Sequence, residues 1–129
     1  MSHPLHRSTA ITSPALDHER LLVYQLAVQL DALVVTLARG MPRGHADLCD
    51  QAVRASASTA LNIAEAVGRR GADRARCLRI ARGSALETDA ALTLLAHRAP
   101  LAAAERSRAR DLSVGVVAML TRFIERCGP

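Results

Sequence analysis

The chain is expected to be all-α, folding as an antiparallel up-down-up-down bundle of four helices. Three observations lead there. Apolar residues recur at helical three-four spacing in four long segments, and Gly or Pro breaks separate them. Half of the 129 residues are hydrophobic, yet Tyr24 and Phe123 are the only aromatics, so the core must be aliphatic. The connections are short, which makes successive helices antiparallel neighbours. The length suits one domain, with a flexible tail over 1–16 and the bundle over 17–129.

The first helix is expected over about 18–39, with Asp17 as N-cap and Gly40 and Pro42 as the stop. It is apolar on more than one side. Leu22, Leu26, Leu33 and Leu37 form one stripe, and Val23, Ala27, Leu30 and Val34 a second. Leu21, Val28 and Val35 extend towards a third. A surface helix of a monomer needs only one such stripe, so a second subunit is expected against it.

The second helix, about 45–68, carries Leu48, Ala52, Ala55, Thr59, Asn62 or Ile63, and Ala66 at helical spacing. Between Ala52 and Ala60 it is almost entirely Ala, Ser and Thr, which lets a neighbouring axis come close. Gly68 and Gly71 flank the next turn, and either suits a left-handed conformation.

The third helix, about 72–97, repeats Leu78, Ala81, Ala85, Thr88, Leu92 and Leu95. Gly83 sits in its middle, where Gly costs about 1 kcal/mol relative to Ala, and a close neighbour is expected there. The fourth, about 101–126, follows Pro100 and turns Leu112, Val116, Met119, Phe123 and Cys127 inward. Val117, Leu120 and Ile124 form its second stripe. The expected subunit-contact residues are therefore Leu21, Val23, Tyr24, Val28, Val35, Val117, Leu120 and Ile124.

The net charge is +5, and all 17 basic residues are Arg, most simply a matter of genome composition. Arg nevertheless forms bidentate bonds to phosphate and carboxylate that Lys cannot copy. Arg69, Arg70, Arg74, Arg76, Arg79 and Arg82 crowd 14 residues against Asp73 alone, a candidate polyanion surface for RNA or DNA. With so few aromatics, base stacking is not expected to contribute.

A polar network is expected at the same turn. Antiparallel geometry brings Asn62 near the level of Arg79–Gly83, and Glu65 near that of Arg76–Arg79. Glu65 is expected to pair with Arg79 or Arg76, with Asn62 bonding beside Gly83; Arg69, Arg82, Ser84 and Glu87 complete the set. A buried pair of this kind would make Glu65→Ala cost about 3–5 kcal/mol.

Catalysis is not expected. Ser84 has no His partner in the pattern, and HExxH, P-loop and GxGxxG motifs are absent. Neither a metal, a cofactor nor a small-molecule substrate is expected. Cys49, Cys77 and Cys127 are odd in number and lack CxxC spacing, which disfavours disulfides and zinc; Cys49 and Cys77 read as small core residues. No apolar h-region lies within Met1 to Leu16 and no run approaches 18 uninterrupted apolar residues. A cytoplasmic protein without a membrane span is expected.

Three segments carry a family resemblance. Asn62-Ile63-Ala64-Glu65-Ala66-Val67-Gly68-Arg69 resembles the "NIAEGxGR" signature of the four-helix bundle proteins also called 23S ribosomal RNA intervening-sequence proteins. Arg79 to Glu87 resembles their "IARGSLxE" block, and Leu22 to Ala27 their "LxVYQxA" opening. Ala66 stands where the family usually has Gly, and Ala75 and Cys77 where aromatics are common. The resemblance, over roughly 17–95, implies an antiparallel bundle assembled as a ring-like homopentamer. It implies no catalytic residues. Related bundles act as accessory proteins that bind nucleic acid and a reverse transcriptase. Asn62, Ile63, Glu65, Gly68, Arg69, Arg82, Gly83 and Ser84 are the signature positions carried over. Two readings follow: an oligomeric scaffold with an Arg-rich binding surface, or a protein-interaction module that docks a partner in a groove.

Overall fold

The computed structural model describes residues 17–128, which form four α-helices and no strand. A 3-10 turn, Asp17–Arg20, precedes α1 (Leu22–Arg39), α2 (Ala46–Val67), α3 (Gly71–Arg98) and α4 (Ala103–Arg126). The tail expected over 1–16 lies outside the described residues. The breaks fall where Gly and Pro place them. The first boundary differs: Leu21 is the N-cap of α1, while Asp17 opens the separate 3-10 turn and does not cap the helix.

Each helix packs on the next and α4 closes back on α1, with α2 and α3 forming the most extensive pair. Two apolar layers fill the centre. One joins Val23 and Ala27 of α1 to Ile63 and Ala66 of α2, Leu78 and Ala81 of α3, and Val116 and Leu120 of α4. The other joins Leu30 and Val34 to Leu48 and Ala52, Leu92 and Leu95, and Ala109 and Leu112. The start of α1 thus lies level with the end of α2, the start of α3 and the end of α4, so successive helices alternate in direction.

Small residues explain the α2–α3 pairing. Ala52, Ala55, Ser56, Thr59 and Ala66 are buried on α2, and Ala75, Ala81, Ser84, Ala85 and Ala91 on α3. Small side chains let backbones approach, and Ala keeps the helix favourable while doing so. The buried hydroxyls of Thr59 and Thr88 donate back to Ala55 O (2.9 Å) and Ser84 O (2.8 Å), so neither is left unpaired.

Between α2 and α3 the chain turns in three residues. Gly71 has φ +53°, where a side chain would be strained, whereas Gly68 has φ −86°. Of the two glycines, only Gly71 uses its conformational freedom here.

By length and composition α1 is apolar enough to cross a membrane, with a mean hydropathy of 1.3 over Leu22–Arg39. Gln25, Gln29, Asp31 and Thr36 interrupt it, so its apolar run is not continuous. In the bundle, Val23, Ala27, Leu30, Val34 and Leu37 occupy the core, which gives that apolarity a use. The half-buried Asp31 carboxylate accepts a 2.7 Å bond from Ser56 Oγ on α2.

Candidate nucleic-acid interface

The six arginines of the α2–α3 turn divide by what they touch. Arg74 folds back over the end of α2: Nε donates to Ala66 O (3.0 Å) and Arg69 O (2.8 Å), and Nη2 to Val67 O (3.2 Å). It satisfies the carbonyls that end the helix and places a cation at the negative pole of its dipole. Arg82 donates to Thr121 Oγ1 on α4 at 3.3 Å. Arg69 pairs with Glu65 one turn earlier at 2.9 Å. Arg70, Arg76 and Arg79 are exposed and have no hydrogen-bond or ion-pair partner among the described residues.

The expected polar network is built differently. Glu65 reaches neither Arg79 nor Arg76; its side chain is 48% exposed and among the described residues meets only Arg69, itself 47% exposed. At one residue per 100° the two helices turn Glu65 and Arg79 outward, away from their shared seam. Asn62 donates to Ser58 O (2.9 Å) and Ser58 Oγ (3.1 Å), and Ser58 Oγ meets Ser84 Oγ across the seam at 2.9 Å. Gly83 faces open space, with nothing within 4 Å of where a Cβ would stand, and Glu87 is exposed. Glu65→Ala is therefore expected to change unfolding free energy by less than about 0.5 kcal/mol, because a solvent-screened pair is removed and no buried charge is orphaned. Urea denaturation checks this, and a loss near the 3–5 kcal/mol of a buried pair would refute the exposed placement.

The ionic clasp of the bundle lies between α3 and α4. Asp89 accepts a 2.6 Å bond from Arg110 Nη1 and lies 3.6 Å from Arg106 Nη1, while Arg106 Nη2 donates to Thr93 Oγ1 at 2.8 Å. Sequence reasoning missed it, because the partners lie 17 and 21 residues apart on separate helices. The signal available was Asp89 and Thr93 one turn apart on α3 and Arg106 and Arg110 one turn apart on α4.

Two of the expected subunit-contact residues serve the subunit's own core: Val23 and Leu120 are fully buried. Leu21, Tyr24, Val117 and Ile124 are half-buried and pack against the same layer, and Val35 is half-buried. Only Val28 of that set is exposed. Four helices around a narrow Ala-rich centre absorb most of the second stripes of α1 and α4. The large apolar residues left outside are Leu22, Leu61, Ile80, Leu86, Leu94 and Val114, three of them on α3.

Among the described residues no three His, Cys, Asp or Glu side chains converge as a metal site. The Ser84 hydroxyl is occupied by Ser58. Burial, followed by the Asp50 charge, pushes the Cys49 thiol up, which disfavours a reactive thiolate. The aromatics are engaged too: Tyr24 packs edge-on against the His18 ring, and the Arg126 guanidinium lies 5.8 Å from the Phe123 ring centre. An apolar cavity of 580 Å³ opens at the same end of the bundle, between Leu21, Ile63, Leu78 and Phe123, with Arg74 and Arg126 on its wall.

These features define a four-helix bundle with an arginine-rich end. The chain belongs to the 23S rRNA-intervening sequence protein family, whose model matches residues 19–122. None of the curated proteins compared with it matches significantly.

Proposed function

We propose that the protein is a non-enzymatic, homo-oligomeric bundle scaffold that binds RNA through the arginines of the α2–α3 turn. The observation that carries this reading is the division of the six arginines. Arg74, Arg82 and Arg69 have structural or ionic partners, whereas Arg70, Arg76 and Arg79 are solvent-facing cations without one among the described residues. Glu65 and Asp73 are the only acids in the 65–82 stretch, so the local field stays positive. With both aromatic rings engaged within the subunit, contacts would go to phosphates and not to stacked bases, giving affinity with little sequence preference.

A salt titration of binding to a fluorescent single-stranded RNA tests this. Three phosphate contacts give a log–log slope of about −2 between roughly 50 and 300 mM salt. Replacing Arg70, Arg76 and Arg79 together by Ala should flatten it towards zero. Affinity that ignores salt would overturn the proposal.

A second reading, a protein-interaction module, is favoured by exposed Leu61, Ile80 and Leu86. It expects a protein partner to remain bound after nuclease treatment, and release by nuclease would count against it.

A further inference from the structure

We infer that the apolar cavity at the α2–α3 end of the bundle binds a single-chain amphipath with an anionic head, of the fatty-carboxylate type. The inference goes beyond RNA binding and uses none of the three arginines assigned to it.

The floor of the cavity suits the tail. Its volume of 580 Å³ lies within the ordinary range of small-molecule sites. Val23, Ile63, Ala66 and Leu78 line it at 1%, 1%, 2% and 6% exposure, so it reaches the packed layer that all four helices share. Five of the eleven buried residues of that layer are Ala: Ala27, Ala60, Ala66, Ala81 and Ala85. Phe123 is the one aromatic ring among the described lining residues. Such short side chains leave space unfilled where the helices end. The side chains of this floor offer water no hydrogen bond, and a hydrocarbon tail placed there exchanges poorly bonded water for apolar contact.

The wall suits the head. Arg74 donates Nε and Nη2 to the carbonyls that end α2, while its Nη1 has no partner among the described residues. The Arg126 guanidinium lies 5.8 Å from the Phe123 ring centre and has no ion-pair partner among the described residues. Both line the cavity, against one acid among the described lining residues, the exposed Asp17. A carboxylate at the mouth can accept charge-assisted bonds from these two guanidinium groups. An alkylammonium head would meet two like charges there, so the site selects its ligand by sign as well as by tail.

Competition fluorimetry on the full chain tests this. Anilinonaphthalene sulfonate is the reporter, and dodecanoate, dodecylamine and acetate are the competitors, with both long chains below their micellar concentrations. Dodecanoate is expected to displace the reporter, dodecylamine to do so about tenfold less well, and acetate not at all. Arg126→Gln should weaken dodecanoate about tenfold and leave the urea midpoint unchanged. Leu21→Trp, on the half-buried rim, fills the mouth and should abolish uptake; if that variant does not fold, Arg126→Gln decides. Replacing Arg70, Arg76 and Arg79 together by Ala should leave uptake unchanged, which separates this site from the RNA reading. Uptake indifferent to Arg126→Gln, dodecylamine competing as well as dodecanoate, displacement by acetate, or loss of uptake in the triple variant would each overturn the assignment. So would a full chain that takes up nothing, including the case in which a chain begun at Asp17 does bind, because the preceding segment then holds the cavity.

Discussion

Leu92→Ala is expected to lower the unfolding free energy of the subunit by about 3–4 kcal/mol. Leu92 is fully buried on α3 in the layer with Leu30, Val34 and Leu37 of α1, Leu48 of α2 and Leu112 of α4. Truncation removes the transfer free energy of three heavy atoms and leaves a cavity. Its neighbours are short aliphatics on helices already held close by alanines, so they have little freedom to collapse into the space. Against a typical total of about 5–15 kcal/mol, this is a large fraction. Urea denaturation at fixed protein concentration checks it, since self-association would otherwise shift the midpoint by mass action. A lower midpoint with an unchanged slope is expected. A loss below about 1 kcal/mol would mean that the layer is not packed around this residue.

Asp89→Ala is expected to cost about 2–3 kcal/mol, the largest effect among the charged residues. The side chains of Asp89 and Arg106 are 19% and 20% exposed, so water screens this pair far less than Glu65 and Arg69. Removing the carboxylate leaves the Arg106 guanidinium mostly buried with Thr93 as its remaining partner. An orphaned buried charge loses more than the pair contributed, and the residual exposure places the value below that of a fully buried pair. Arg110, 57% exposed, returns to solvent at little cost. Replacing Asp89 and Arg106 together by apolar residues should recover much of the loss. If Asp89→Ala and Glu65→Ala fell together below about 0.5 kcal/mol, the clasp would be no better than a surface pair.

Much of the fold was legible in the sequence, because it depends on local chemistry. Gly40, Pro42, Gly68, Gly71 and Pro100 mark helix ends whatever the rest of the chain does. The rhythm of Leu78, Ala81, Ala85, Thr88, Leu92 and Leu95 marks one buried face, and all six are buried. The basic character of the turn was legible in the same way, since charge is read from composition. Which arginines stay free was not: Arg74 and Arg82 are held by groups on α2 and α4.

The polar contacts and the outward faces belong to tertiary structure. An error of one residue in axial register rotates a side chain by 100° around its helix, which is enough to turn Glu65 and Arg79 from a shared seam to solvent. The double-striped reading of α1 and α4 met the same limit. Periodicity shows that Val23 and Leu120 each lie on an apolar stripe of their own helix, but only the arrangement of four axes decides whether a sister helix covers that stripe. Spacing along the chain thus determined four helices, their ends and an aliphatic core. The packing of all four together decided the Asp89–Arg106–Arg110 clasp, the three free arginines and the uncovered face around Gly83, because rotation and register are properties of the whole bundle and not of any one helix.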